Sequence, residues 1–247
     1  KNLVYVGLDT APFVPLCYNS RSVNTASNKS VNIALRRLRA EDISQVIEIE
    51  KEAFSPLWLG TQFKRDLNNR YACYLVAYLA QEADSKAPPV SVDVAPEDSS
   101  LWGRVVKTVQ GAVKREDHAS GPDSNLVGYV GLWFQGNEAH ITEIAVREAL
   151  RGQGIGELLL IGSVRASVEY GSSVVTLEAR ISNFIAQRLY EKYGFRTAGI
   201  RKGYYSDNRE DAVIMTTSPI HSVDYQKRFG ELEAAYLSRW REVCIND

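Results

Sequence analysis

The stretch that most restricts how this chain can fold is Glu143-Ile144-Ala145-Val146, followed four residues later by Arg151-Gly152-Gln153-Gly154-Ile155-Gly156. An apolar strand runs into a glycine turn, and the turn runs into a long helix from about Gly154 to Tyr170, stopped by Gly171. Successive N–H groups at a helix start converge on one spot, and the helix dipole favours an anion there. Glycines let a pyrophosphate approach the backbone with no Cβ in the way. No Gly-Lys-Ser/Thr follows, so this is not a Walker loop, and the spacing departs from the GxGxxG of dinucleotide folds. ATP and NAD are therefore disfavoured. Taken alone, the turn specifies an anion at a helix start or a plain strand-to-helix connection.

The rest of the chain supplies the elements around that turn. Residues 1–31 are rich in Ser, Asn, Pro and Thr without a sustained period and read as an N-terminal arm. Ile33 to Arg39 alternates as a strand, and Ala40-Glu41-Asp42-Ile43 opens a helix with Ile43, Val46, Ile47 and Phe54 on one face. A short helix is predicted over Thr61 to Asn68, and strands over Tyr71 to Ala80, Leu126 to Phe134, Ala139 to Val146 and Val174 to Ala179. Asn183 starts a helix that Gly194 ends, and Phe195 to Lys202 and Ala212 to Thr217 form a last strand pair. Residues 81–125 are too long for a plain connection. Trp102, Val105, Val106, Val109 and Val113 fall there at helical spacing against Arg104, Lys107, Lys114 and Arg115, which predicts an inserted amphipathic helix. Beyond residue 218, Tyr225, Phe229, Leu232, Tyr236, Trp240 and Val243 make an apolar stripe, so residues 219–247 are predicted to hold a C-terminal helix packed on another surface. Hairpin-like strands first and alternating strands and helices later predict an α/β fold with a mixed sheet, in a domain spanning 32–218.

Composition removes several function classes. The 29 basic and 30 acidic residues leave a net charge of −1, which gives no field for gathering DNA. Cys17, Cys73 and Cys244 are far apart, and His118, His140 and His221 are isolated in the sequence, so neither a metal site nor a disulfide framework is expected. No apolar run approaches the ~20 residues of a membrane helix, and a cytoplasmic location is the expectation.

The motifs after the turn extend the pattern. Arg151-Gly152-Gln153-Gly154-Ile155-Gly156 matches the Gln/Arg-x-x-Gly-x-Gly/Ala signature of the GNAT acetyltransferases. Leu177-Glu178-Ala179-Arg180-Ile181-Ser182-Asn183, Leu189-Tyr190-Glu191-Lys192-Tyr193-Gly194-Phe195 and Gly203-Tyr204-Tyr205-(x4)-Glu210-Asp211-Ala212 resemble, in order and spacing, the ribosomal-protein-alanine N-acetyltransferase (RimI) branch. The resemblance covers about residues 32–218 without 81–125. It implies a GNAT fold, a mixed central sheet in which a splayed strand pair binds acetyl-CoA, with no metal. It also implies that Ile144, Ala145 and Val146 pair with the pantetheine arm. Arg151, Gly152, Gln153, Gly154, Ile155, Gly156 and Glu157 then form the coenzyme turn and hold the pyrophosphate, and Asn183 bonds the coenzyme from the next helix start. An N-cap is the other reading of Asn183, and both roles can coexist.

Acetyl transfer to nitrogen needs an uncharged amine, and a protein α-amino group has a pKa of about 8. A carboxylate can take that proton directly or through a water. Glu178 interrupts the apolar run Val174-Val175-Thr176-Leu177 and matches the family's base; the alternative is a carboxylate at a solvated strand end. The leaving thiolate has a free pKa of about 8.5, and a tyrosine can protonate it. Tyr190 lies seven residues past Asn183, two turns along one helix face, and is the predicted acid; a helix-to-sheet aromatic contact is the alternative. The family implies the Val146 N–H as oxyanion donor. It places the acceptor slot at Phe54, Pro56, Leu57 and Trp58, with Tyr204, Tyr205 and Glu143 gripping the peptide backbone; hairpin packing is the other reading of the tyrosine pair.

The resemblance thus implies transfer of acetyl from acetyl-CoA to a protein N-terminus, with an N-terminal alanine of a small-subunit ribosomal protein as the acceptor. A small-amine, polyamine-type acetyltransferase and a non-catalytic acyl-CoA-binding assembly module are the competing classes. The basic helix of the insertion is read as packing on its own domain, with a partner, ribosomal RNA or a membrane surface as alternatives. Nothing in the pattern sets the oligomeric state.

Overall fold

A computed structural model describes residues 32–54, 60–80 and 126–242. The predicted arm over 1–31, the inserted helix within 81–125, and Pro56, Leu57 and Trp58 lie outside the described residues. Within them, strands β1 (Asn32–Arg37), β2 (Ala72–Ala80), β3 (Leu126–Gln135), β4 (Glu138–Val146), β5 (Val174–Arg180), β6 (Phe195–Arg201) and β7 (Ala212–Thr217) form one sheet in the order β1-β2-β3-β4-β5-β7-β6. Helices α1 (Ile43–Ala53) and α2 (Phe63–Asp66) follow β1. Helix α3 (Ile155–Tyr170) joins β4 to β5, α4 (Phe184–Lys192) joins β5 to β6, and α5 (Val223–Glu242) ends the described chain.

The two sheet faces carry separate cores. On one, α1 and α2 bury Ile43, Val46, Ile49 and Phe63 against Tyr74, Val76, Tyr129 and Ala145. On the other, α3 buries Ile155, Leu158, Leu159, Leu160, Ile161 and Val164. A helix apolar on nearly every side belongs at the centre of a domain. Gly162 lets it sit close, since a Cβ there would come within 2.7 Å of Leu35 Cδ1. Its two buried serines are satisfied inside the helix: Ser163 Oγ donates to Leu159 O at 2.8 Å and Ser167 Oγ to Ser163 O at 2.7 Å.

Helix α5 packs on the α3 face through the predicted stripe, with Tyr225, Phe229 and Tyr236 buried in that core. Ionic contacts add to the packing. Arg239 Nη2 lies 2.8 Å from Glu157 Oε2, and Arg165 Nε lies 2.6 Å from Glu233 Oε1. The C-terminal helix is therefore part of the domain and reaches the first turn of α3.

One pair in the described sheet is parallel, β4 with β5. It is registered only over Glu138↔Val174, Ala139↔Val175, His140↔Thr176 and Ile141↔Leu177. Beyond Ile141 the two strands diverge. A β-bulge marks the place: Gly131 faces Glu143 on β3–β4, but Leu132 faces Ile141, so Thr142 is an extra residue in β4. The bulge inverts the alternation of the strand. Before it Ala139 and Ile141 face the α3 core; after it Ile144 and Val146 do, while Glu143 and Ala145 turn to the α1 face.

Candidate active site

The divergence of β4 from β5 opens a notch with a bare strand edge. Arg147 N donates to Val127 O at 3.0 Å, which sets the phase of the β3–β4 ladder. Hydrogen-bonded and non-hydrogen-bonded pairs alternate in an antiparallel ladder, so Tyr129↔Ala145 and Gly131↔Glu143 exchange bonds. The backbone groups of Ile144 and Val146 then point away from β3 into the notch. There they meet no β5 ladder, because that pairing has ended at Ile141. Unpaired backbone donors and acceptors at a cleft are costly unless water or a ligand meets them. An amide-bearing chain such as pantetheine fits this edge. Arg151 closes its far end, donating from Nε to Val146 O at 3.2 Å.

The glycine turn stands at the end of the notch. Gly152 and Gly154 have φ of +74° and +79°, a left-handed conformation that side chains resist. A Cβ on Gly152 would meet nothing within 4 Å, so the surface there is open. The first amide of the helix to find a carbonyl is Leu158, which donates to Gly154 O at 3.0 Å. The N–H groups of Ile155, Gly156 and Glu157 precede it and are the helix-start donors that suit a pyrophosphate. Glu157 contributes to this cradle through its backbone alone. Its carboxylate turns inward to Lys192, to Tyr193 Oη at 2.8 Å and to Arg239. Burial opposes its charge, but the Lys192 bond, then Tyr193 and Arg239, hold its pKa below the usual carboxylate value. Asn183 is the exposed N-cap of α4, its side chain accepting from Ala186 N at 3.2 Å.

The other rim is built from side chains. Thr176, Glu178 and Arg180 of β5 project to the α1 face, opposite Leu177 and Ala179 in the α3 core. Glu178 does not sit at a solvated strand end. Its side chain is 7% exposed and held at both oxygens, Oε2 3.0 Å from His140 Nε2 and Oε1 3.0 Å from Arg201 Nη2. His140, isolated in sequence, also lies 3.1 Å through Nδ1 from Thr176 Oγ1. Arg180 stands 3.9 Å over the Tyr205 ring and binds Asp207 at 2.8 Å and Glu210 at 3.0 Å. Glu210 also accepts from Ser182 N at 2.9 Å; the Ser182 hydroxyl, then this backbone bond, with Arg180, draw its pKa down to about 2. The β6–β7 loop is thereby tied to the β5–α4 junction. Tyr204 and Tyr205 meet edge to face at 5.2 Å within it. Burial pushes the Tyr205 phenol up to about 12 and raises that of Tyr204.

Tyr190 packs beside Phe195, ring centroids 5.8 Å apart, and burial pushes its phenol up to about 12. The helix-to-sheet aromatic contact, the alternative reading of Tyr190, is present. Such a phenol stays protonated at neutral pH, as a donor must, but full transfer to a thiolate of pKa about 8.5 is uphill.

Glu143 lies on the α1 face after the bulge, 7% exposed. Its carboxyl leans over Gly131, where a Cβ would come within 2.6 Å of Oε1, and lies 3.4 Å from Thr61 Oγ1. Thr61 donates from Oγ1 and N to Glu50 Oε1 at 2.6 and 3.0 Å. Burial, with Glu50 and Asp66 nearby, pushes Glu143 up to about 7. Phe54, also on this side, is half-buried against the α1-face core. The structure therefore gathers Glu143, Glu178 and Tyr205 on one face. His140, Arg201, Arg180, Thr61 and Glu50 escaped the sequence reading, because their partners come from other elements.

A parallel pair that parts at a bulge, a bare strand edge and a helix start beyond a glycine turn together define an acyl-coenzyme A transferase site. The chain belongs to the GNAT family: residues 108–195 match the Acetyltransferase (GNAT) family, and a full-length relative shares 34% identity. It is an acetyl-CoA-dependent N-acetyltransferase. That relative, a Bacillus subtilis (strain 168) protein assigned as a [ribosomal protein bS18]-alanine N-acetyltransferase, aligns over 183 residues, 74% of this chain and 93% of its own. An N-alpha-acetyltransferase of Saccharolobus solfataricus is 29% identical over 189 residues, 76% of this chain and 94% of that one. The crystal structure of the ribosomal-protein-S18-alanine N-acetyltransferase of Escherichia coli superposes with a TM-score of 0.53 at 23% identity, covering 77% of this chain and 96% of that one, which establishes the shared fold.

Proposed function

We propose that this enzyme acetylates the α-amino group of a protein, with an N-terminal alanine of a small-subunit ribosomal protein as the acceptor. The observation that carries the reading is the acceptor rim. A buried carboxylate, Glu178, lies beside a tyrosine pair braced by Arg180 and Arg201, on the face where α1 and α2 flank the notch. The relatives named for the same reaction support it. A ribosomal acceptor places the reaction in the cytoplasm.

Acetyl-CoA supplies a thioester carbonyl carbon as the electrophile. The Ile144–Val146 edge aligns the pantetheine arm, Gly152 to Glu157 hold the pyrophosphate through backbone N–H groups, and the Asn183 amide adds a donor. Val146 N–H faces the notch and offers the thioester oxygen a hydrogen bond. Glu178 takes the proton of the α-ammonium: a carboxylate has about four lone-pair positions, and His140 and Arg201 occupy two. Tyr190 donates a hydrogen bond to the departing sulfur, and its raised pKa limits it to sharing its proton until the thiolate leaves the cleft. Tyr204 and Tyr205 grip the backbone of the first residues, with Phe54 at the side of the slot and Glu143 beneath it.

The test is turnover with acetyl-CoA across a library of peptides differing in the first residue, with spermidine as competitor. Peptides beginning with alanine are expected to lead and spermidine to be a poor acceptor. Preference for spermidine, or coenzyme binding without turnover on any peptide, overturns the reading.

A further inference from the structure

We infer that His140 is a positioning residue for the base: it fixes the Glu178 carboxylate from across the β4–β5 junction. The inference rests on Glu178 as the proton acceptor. His140 pairs with Thr176 in the last registered stretch of the parallel ladder, one step before Ile141↔Leu177, where the strands begin to part. It is therefore anchored on the closed side of the notch and reaches the open side. Its Nε2 is 3.0 Å from Glu178 Oε2, and its side chain is 31% exposed while that of Glu178 is 7% exposed.

Both ring nitrogens are engaged. With a neutral ring, Nε2–H donates to the carboxylate, and Nδ1 accepts from the Thr176 hydroxyl at 3.1 Å. The ring is therefore held at both ends, which fixes its plane and the reach of Nε2 to the carboxylate. Among the described residues, the groups facing the ring and its carboxylate are Glu178 and Thr176 from β5, Arg201 from β6, which already holds Glu178 Oε1 at 3.0 Å, and Tyr204 beside Arg201. The His140 Nε2 contact and the Arg201 pair hold one carboxylate oxygen each, so the orientation of Glu178 depends on His140. The proton removed from the α-ammonium goes to Glu178, and His140 holds its own Nε2 proton throughout.

The experiment compares kcat and KM for the full chain and its His140→Ala, His140→Gln and Glu178→Gln variants, with an alanine-starting peptide and acetyl-CoA. His140→Ala is expected to lower kcat about ten- to a hundredfold, the range for losing a hydrogen bond to a charged group, with little change in acetyl-CoA KM. His140→Gln keeps a donor and is expected to recover most of the rate. Unfolding temperatures of the two His140 variants check that both are folded. A His140→Ala rate within twofold of the parent, or a folded Gln variant as slow as the Ala variant, overturns the role of His140 even where Glu178→Gln is inactive. An active Glu178→Gln instead removes the base itself, and the role of His140 with it.

Discussion

The two rims of the notch are made differently. The β4–α3 rim works through backbone: a strand edge freed by the loss of its neighbour, two glycines with positive φ, and the first amides of a buried helix. The β5–β6–β7 rim works through side chains that brace one another: His140 and Arg201 on Glu178, Arg180 on Tyr205, Asp207 and Glu210. A backbone site is indifferent to most substitutions except those that change φ or add a Cβ. A side-chain site loses function when a single functional group is removed. The first suits a donor that never changes; the second allows an acceptor to be chosen. Damage to one rim should therefore leave the other measurable.

The largest separation is expected from Glu178→Gln, which keeps the shape and removes the proposed base. Turnover should fall about a hundred- to ten-thousandfold, the usual worth of general base catalysis, while acetyl-CoA affinity measured by calorimetry is unchanged. Gly154→Ala attacks the other rim. A left-handed conformation costs a residue with a Cβ about 1–2 kcal/mol, so coenzyme affinity should drop about tenfold while kcat at saturating acetyl-CoA holds. If it lowers kcat at saturation instead, the rims are coupled. Arg180→Ala should raise the peptide KM about fivefold, the scale of a partly desolvated cation–π contact, with the acetyl-CoA KM unaffected.

The smallest effect concerns the carboxyl that the rims do not use in the same way. Glu143 and Glu178 both face the α1 side of the sheet, but Glu178 is held by His140 and the Arg201 guanidinium whereas Glu143 is buried among Glu50, Asp66, Tyr74 and Tyr129. Its pKa is raised from 4.5 to about 7, so the folded state binds the proton more tightly than the unfolded chain. The stability this contributes is complete below about pH 4.5 and is lost as pH rises through about 7. Glu143→Gln has no such loss. Thermal unfolding should therefore show the variant gaining on the parent between pH 6 and 8 by about 1 kcal/mol, roughly 2–4 °C. A constant difference across that range would place Glu143 in a far more polar setting.

The contrast also explains what the sequence made legible. The backbone rim is contiguous: Glu143 to Gly156 states the strand, the turn and the helix start in one run, because glycine at positive φ and an apolar helix leave local marks. The notch itself left none. Ala139 to Val146 alternates in a way that any strand would, and the extra residue at Thr142 shows only once Gly131 and Leu132 are seen to face Glu143 and Ile141. That bulge decides that Glu143 turns to the α1 face and Ile144 to the α3 core. His140 reads as one of three scattered histidines because its partner Thr176 is 36 residues away and joins it only through the parallel pairing. Glu50 reads as a solvated helix position, although the returning Thr61 backbone caps it in the interior. The α5 stripe was readable at helical spacing; its tie to Glu157 at the start of α3 was not, since nothing local marks a contact across 82 residues.

The central claim is that this site delivers acetyl to a chain terminus. It is tested most directly by a peptide that begins with alanine and carries an internal lysine, incubated with acetyl-CoA and the enzyme and sequenced by tandem mass spectrometry. The account expects one acetyl group, on the α-amino nitrogen, and none on the lysine side chain. Acetylation of the lysine with the terminus left free would contradict it.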